Sequence, residues 1–395
     1  MNTTWQFATA AALKFGRGSR LQLSQELKRR SLSRPLVVSD STICSLEIVI
    51  DLIGTLDSPV LFSDGEPEPN LQVAEAAIAV GREEHVDCVV GLGGGSNIDV
   101  AKIAANVLKH GGEPKDYFGF DVIPGPVLPL FALPTTAGTG SEVSHSAVLT
   151  DSDAAIKVST LSNWLRPAMA IVDPALTDSC PRRVTAESGI DALVHAIEAY
   201  TNRDFSEMEG VDPQARAYEG SFSLTQLLAR DAIKRIGRSL APCCDNPTNQ
   251  LRDELALAAT LAGMAFSNSG VGIVHALEYP IGALTHCGHG EGNGLLLPHV
   301  MEYNLQIRQE AFAQIAVMLG ADPGLDSAEL AEQSVALIRR LQKAIGIRTN
   351  LGELGMSEAD IPAVAQKAFQ IKRLMDINPR TPTLEHLEGI LRSAI

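Results

Sequence analysis

A carboxylate and three histidines, set at two different spacings, are the residues of this chain best able to do chemistry. Asp191 and His195 lie four apart in Glu187-Ser-Gly-Ile-Asp-Ala-Leu-Val-His-Ala-Ile-Glu-Ala-Tyr200, a stretch that reads as helix. Residues four apart on a helix stand one above the other on the same face. Two more of the chain's nine histidines follow, His275 in Gly272-Ile-Val-His-Ala-Leu and His289 in Cys287-Gly-His-Gly. Pro280, Gly282 and Gly288 separate them, so one straight helix is not expected to carry both. One oxygen and three imidazole nitrogens suit a borderline divalent ion such as Fe2+ or Zn2+, with a coordination position left for a reactant. Taken singly, each histidine reads better as an unrelated core residue. The four together, behind a nucleotide-binding motif, read as a metal site.

Two kinds of sequence must position them. The first half alternates short β-rich runs (Pro35–Ser39, Pro59–Phe62, Val86–Val90, Val127–Ala132, Ala168–Val172) with helical stretches near 19–30, 43–56, 70–83 and 97–109. That alternation predicts a parallel sheet covered on both faces, with ligands at the carboxyl ends of the strands. From about Pro181 helical periodicity takes over, near 184–201, 222–240, 248–267, 309–319, 327–344, 358–370 and 384–393. The expected organisation is an α/β dinucleotide-binding domain over 1–180 and an all-helical metal-binding domain over 181–395. Residues 202–221 interrupt the helices as a surface excursion.

Val89-Val-Gly-Leu-Gly-Gly-Gly-Ser-Asn-Ile-Asp-Val-Ala-Lys102 joins a buried strand to a helix. Gly93, Gly94 and Gly95 let the backbone turn tightly and approach a diphosphate at the positive helix N-terminus. Ser96 is expected to cap that helix, with Asp99 at the third helical position; an ordinary strand-to-helix turn is the competing reading. Asp40 ends the strand Leu36–Ser39. A carboxylate there accepts hydrogen bonds from ribose hydroxyls and repels a 2′-phosphate, favouring NAD over NADP; a turn-forming aspartate explains it equally well. In Leu133-Pro-Thr-Thr-Ala-Gly-Thr-Gly-Ser-Glu142, Thr135, Thr136 and Thr139 supply uncharged hydroxyls suited to ribose, diphosphate or carboxamide. Lys157 is placed to reach a ribose or phosphate, though a lone lysine is ordinarily a solvated surface group.

Composition bounds the function. At 395 residues two domains are expected, and a 45% hydrophobic, 20% charged chain can bury a large core. A net charge of −15 argues against nucleic acid or an anionic membrane as partner. No stretch has the apolar length of a membrane span, and the first residues lack a secretory pattern. The six cysteines form no C-x-x-C pair, which fits reduced thiols in a cytoplasmic enzyme.

As a set, these motifs resemble the iron-containing (group III) alcohol dehydrogenase family. The matching pieces are Gly93–Lys102, Pro134–Glu142, Ile171-Val-Asp-Pro174, Gly189–Glu198, His275–Val300 and Asn378-Pro-Arg380, in order over nearly the whole chain. The resemblance implies an α/β NAD-binding domain with an all-α partner domain, an architecture shared with dehydroquinate synthase. It implies Asp191, His195, His275 and His289 as ligands of one divalent metal, Fe2+ before Zn2+. Asp40, Gly93, Gly94, Gly95, Ser96, Asp99, Thr135, Thr136, Thr139 and Lys157 fall at cofactor positions, and Asn70 beside them. The implied reaction is hydride transfer between a small alcohol or hydroxy acid and NAD, in a homodimer or larger homo-oligomer.

Three positions depart from the pattern. Asn97 replaces a proline, Glu187-Ser188 replaces Ala-Thr, and Tyr279 stands four after His275 where many members carry a further histidine. Tyr279 and the 202–221 excursion resemble the branch containing 4-hydroxybutyrate dehydrogenases and hydroxyacid–oxoacid transhydrogenases. One helical turn from a ligand, Tyr279 is the candidate to hydrogen-bond the substrate oxygen or assist proton exchange; a packed core tyrosine is the alternative. A zinc-dependent glycerol dehydrogenase, a maleylacetate reductase, a lyase of the dehydroquinate synthase type and a non-catalytic NAD sensor remain competing readings.

Overall fold

The computed structural model describes residues 4–151, 156–208 and 217–395. The chain forms two compact units, Ala8–Cys180 and Pro181–Ile395, with the described residues before Ala8 grouping with the second. Trp5 anchors that segment by stacking on Phe222, ring centroids 4.2 Å apart.

The first unit is α/β. Its strands are β1 (Leu13–Phe15), β2 (Pro35–Val38), β3 (Val60–Phe62), β4 (Cys88–Gly93), β5 (Gly119–Phe120), β6 (Leu130–Pro134), β7 (Ser146–Asp151), β8 (Ile156–Leu161) and β9 (Met169–Val172). Its helices are α1 (Leu23–Arg29), α2 (Ser41–Cys44), α3 (Glu47–Gly54), α4 (Leu71–Glu83) and α5 (Gly95–His110). Six strands form one sheet in the order β1-β9-β6-β4-β2-β3, and every pairing in it is parallel.

Side chains alternate along these strands, and the helices cover both faces. Leu36, Val38, Val89 and Leu130 pack with α4 and α5. Val37, Val90, Leu92, Phe131 and Leu133 pack with α1 and α3 on the other side. The near-continuous apolar runs are the consequence of burial on two faces.

From β2 the chain moves outward to β3, then returns past β2 to β4. Neighbouring β2 and β4 therefore send their connections in opposite directions, and their carboxyl ends form a topological switch point. Two features differ from the sequence expectation: the short edge strand β1, and a separate three-stranded sheet in the order β5-β8-β7.

The second unit is helical: α6 (Arg182–Thr201), α7 (Ser223–Asp245), α8 (Asn249–Ser269), α9 (Ile273–Thr285), α10 (His289–Asn304), α11 (Gln309–Met318), α12 (Ser327–Ile345), α13 (Ile361–Phe369), α14 (Lys372–Ile377) and α15 (Leu384–Ser393). Helices α9, α10 and α14 were not expected. Pro280 lies inside α9, and α10 opens on the glycine-rich run His289-Gly-Glu-Gly-Asn-Gly294. Gly290 and Gly294 face α6. An added Cβ would stand 2.1 Å from the Glu187 carbonyl oxygen at Gly290, and 2.9 Å from the Ile190 side chain at Gly294. Close backbone approach, rather than helix propensity, selects glycine here.

Of the 202–221 excursion, residues 209–216 lie outside the described residues. In the remainder, Asp204 caps a turn at Phe205–Glu207. No single helix among the described residues is long and apolar enough to cross a membrane.

Candidate active site

In the helical unit, Asp191 and His195 stack one turn apart on α6, both buried, with His195 Nδ1 3.8 Å from Asp191 Oδ2. His275, in the first turn of α9, and His289, the first residue of α10, each place Nε2 3.8 Å from Asp191 Oδ1. Ligand atoms of Asp191, His275 and His289 all lie within 4.8 Å of one another, and the two 3.8 Å separations from Asp191 Oδ1 are ones that a pair of bonds of about 2.0–2.2 Å to one ion can span. His195 stands beside this trio and outside the mutual set. Its ring stacks between Phe266 and His275, with centroid distances of 4.1 and 4.8 Å.

Among the described residues, the buried His275 Nε2 has no hydrogen-bond partner. Leaving a buried polar atom unmet is costly, and a cation between the ligand atoms would satisfy it. The residues therefore fit a divalent ion.

The electrostatics agree with the geometry. Burial alone would raise the Asp191 carboxyl, but His195, His289, His275 and an Asn293 hydrogen bond outweigh it, and the net direction is down. Asp191 is thus kept as a carboxylate.

Three polar groups around the trio were not singled out from the sequence. Glu198 accepts a 2.6 Å hydrogen bond from His275 Nδ1, Glu278 accepts one from His289 Nδ1, and Asn293 Nδ2 donates to Asp191 Oδ1 at 2.8 Å. The Tyr279 ring lies 6.0 Å from that of His289. Burial pushes its phenol up, the Arg373 guanidinium offsetting this in part, so the hydroxyl is protonated at neutral pH.

In the α/β unit, the glycine turn lies at the carboxyl end of β4, on the switch point. Gly93 has φ 149°, and a Cβ there would meet Asn97 Nδ2 at 2.2 Å, so no other residue fits. Ser96 does not cap the following helix. Helix α5 begins two residues earlier than such a cap requires, at Gly95, with Gly94 as an N-cap that offers no side chain. The cap residue thus supplies no side-chain acceptor to the first-turn N–H groups, as an anion-binding helix start requires. Ser96 Oγ instead accepts from Glu68 N at 3.3 Å.

Asp99 likewise leaves its own helix. It accepts from Ser141 Oγ (2.5 Å) and Val148 N (2.9 Å), tying α5 to the threonine loop and β7. Beside it, Lys102 is fully buried and donates to Ser141 Oγ, Ser144 Oγ and the Ser146 carbonyl at 2.7–3.0 Å. Burial brings its pKa down to about 8, against the pull of Asp99 and Glu142.

That brace sets the threonine loop against the glycine turn. Thr135 N donates to Gly93 O at 2.9 Å. Thr139 packs so tightly on Gly95 that an added Cβ would lie 2.7 Å from it, and Thr136 lies over Gly94 at 3.7 Å. The buried Thr135 hydroxyl has no hydrogen-bond partner among the described residues.

Asp40 and Asn70 both act as helix caps, accepting from Ile43 N (2.9 Å) and Val73 N (3.0 Å). The turn-forming reading of Asp40 thus holds for one of its oxygens. The other accepts from Asn97 Nδ2 at 2.8 Å, which links the ends of β2 and β4 across the switch point. Asn97, where a proline was expected from the resemblance, makes a bond that proline cannot. Lys157 is not a solvated lysine: it pairs with Glu68 at 3.2 Å and its side chain is 8% exposed.

A parallel sheet with a glycine turn at its switch point, together with a carboxylate–histidine trio buried at two of its three members, suits a nucleotide- and metal-dependent enzyme. The chain matches the iron-containing alcohol dehydrogenase family over residues 10–174 and the family's C-terminal domain over 185–395. It belongs to that family. Along its length it is 33% identical to the NAD-dependent methanol dehydrogenase of Bacillus methanolicus, covering 98% of this chain and 99% of that one. It is 36% identical to the 1,3-propanediol dehydrogenase of Klebsiella pneumoniae, over 85% of this chain and 82% of the other. The crystal structure of a 1,3-propanediol oxidoreductase superposes with a TM-score of 0.92 at 32% identity, covering 99% and 100% of the two chains. The chain is an alcohol dehydrogenase that interconverts alcohol and aldehyde with a nicotinamide cofactor and a metal.

Proposed function

We propose that this enzyme oxidises a short primary alcohol or diol with NAD, using one Fe2+ ion held by Asp191, His275 and His289, with His195 completing the set. The convergence of three ligand atoms within 4.8 Å, with Asp191 and His275 buried and His289 partly buried, carries this reading. Imidazole nitrogens with one carboxylate suit Fe2+ and also admit Zn2+; the family to which the chain belongs favours iron. We place the enzyme in the cytoplasm, where its six cysteines stay reduced.

When bound, such an ion acts as a Lewis acid on the alcohol oxygen and lowers its pKa, as zinc lowers that of water from ~15.7 to about 7. The chain's own groups do the rest. Asp191 stays ionised and partly neutralises the cation, and His275 presents a desolvated Nε2 with no competing partner. Tyr279, protonated at working pH, donates a hydrogen bond to the substrate oxygen. A bound nicotinamide would supply the acceptor for the hydride of the alcohol carbon, and the hydroxyl proton would pass to solvent.

For the cofactor, Gly93 to Ser96 receive the diphosphate at the start of α5, and Asp99 with Lys102 holds the threonine loop in place. Thr135, Thr136 and Thr139 supply hydroxyls, and Lys157 and Asn70 flank the ribose. Asp40, fixed by its own cap bond and by Asn97, accepts from the adenosine ribose and repels a 2′-phosphate.

A screen of short diols, primary alcohols and hydroxy acids, followed by the absorbance of the reduced cofactor, tests the proposal. NADH is expected to accumulate with a short alcohol or diol, with kcat/KM at least ~10-fold higher for NAD than NADP, about 1.4 kcal/mol of discrimination. Binding of NAD without turnover of any member of the panel, or a preference for NADP, contradicts it.

A further inference from the structure

We propose that Glu198, Glu278 and Asn293 form a closed ring of positioning residues that holds Asp191, His275 and His289 ready for the ion; the inference rests on the metal reading above. The three side chains are almost fully buried, Glu278 and Asn293 at 0% exposure and Glu198 at 5%. A buried carboxylate is costly unless its oxygens are met, so the partners each one has taken are informative.

The connectivity is cyclic. Helix α6 carries Asp191 and, two turns later, Glu198. Glu198 Oε2 accepts from His275 Nδ1 on α9, and its Oε1 accepts from Val274 N at 2.9 Å. The second bond caps α9, whose own N-cap residue offers no side chain. Helix α9 in turn carries His275 and, one turn on, Glu278, which accepts from His289 Nδ1 on α10. Helix α10 carries His289 and, one turn on, Asn293, whose Nδ2 returns to Asp191 Oδ1 on α6 at 2.8 Å. Each helix lends one ligand and orients the ligand of the next.

This arrangement settles the chemistry of both rings. A carboxylate only accepts, so Nδ1 of each histidine carries the proton and Nε2 keeps its lone pair. The charge behind each ring also raises the basicity of Nε2, as outer carboxylates do for metal-bound histidines generally. Because the links share helices, loosening one displaces the ligands held by the others, and their effects are coupled.

The test uses the full-length chain and Co2+ as the probe, with affinity read by competition against a chromophoric chelator and geometry by the Co2+ absorption bands. Glu278→Gln retains an acceptor and loses the charge, and Glu278→Met loses both. Metal affinity is expected to fall ~10-fold and toward ~100-fold respectively, with shifted Co2+ bands and unchanged NAD binding. Glu198→Gln is expected to behave like Glu278→Gln, and the two together to cost less than the product of the single effects. If Glu278→Met fails to fold, Glu278→Gln alone decides the outcome. Unaltered Co2+ affinity and spectrum in both glutamine variants overturn the ring while leaving the metal reading intact. Failure of the unsubstituted chain to bind Co2+ at all overturns both.

Discussion

His275→Ala is expected to lower turnover ~10³-fold or more while leaving NAD affinity unchanged. His275 supplies a buried Nε2 with no hydrogen-bond partner among the described residues, 3.8 Å from Asp191 Oδ1. Removing it takes away a central donor and leaves Glu198 buried without its imidazole partner. A Lewis acid is worth several kcal/mol at the transition state, and ~1.4 kcal/mol is a factor of ten in rate. The glycine turn, Asp40 and the threonine loop, to which the proposal assigns the cofactor, belong to the other unit, so NAD binding is the internal control. Rates and NAD titrations on the same preparation check the prediction. Lost NAD affinity with metal retained would reverse the assignment of ligands to the two units.

Gly290→Ala carries the second large effect. The new Cβ would sit 2.1 Å from the Glu187 carbonyl oxygen, 2.7 Å from its carbon and 3.2 Å from Asp191 Cβ. Backbone atoms cannot swing aside, so α10 has to back away from α6, taking His289 and Asn293 with it. Overpacking of this kind costs about 1–3 kcal/mol of stability. The larger consequence is at the trio, where the Asn293–Asp191 bond and the 3.8 Å His289–Asp191 approach both span this contact. Displacements near 1 Å at a reacting centre cost roughly 100-fold in rate.

Gly389→Ala on α15 is the matched control. Among the described residues nothing lies within 4 Å of its Cβ position, and alanine there is expected to stabilise the helix by up to about 1 kcal/mol. Thermal unfolding with turnover distinguishes the two variants. Equal behaviour would show that the α6–α10 contact is not tight.

How far the sequence could be read depended on whether a feature was local. The buried strands β2, β4 and β6 were legible because both faces are covered and their runs are continuously apolar. Asp191 and His195 were legible because four residues is one helical turn. The glycine turn was legible because Gly93 has to adopt a conformation and an approach that exclude a side chain.

Other features were set by tertiary contacts. Helix α10 was hidden by Gly290, Gly292 and Gly294, which reflect crowding against α6 and α9. Helix α9 was obscured by Pro280. The hairpin of β7 and β8 is only partly buried and rich in hydroxyl residues, so it lacks the apolar signal of the main sheet. Glu198, Glu278 and Asn293 were legible only as members of a motif, since each acts on a residue of another helix and no spacing encodes that. Asp99 illustrates a wrong local inference: three residues after Ser96 it resembled a capping partner, but the cap lies at Gly94 and its oxygens serve Ser141 and Val148.

The most direct measurement is turnover of a short diol with NAD after the enzyme has been stripped of metal, and again after Fe2+ or Zn2+ is restored, with metal content determined on each sample. Activity should vanish on stripping and return in proportion to one ion per chain. Full turnover by metal-free protein would contradict the account.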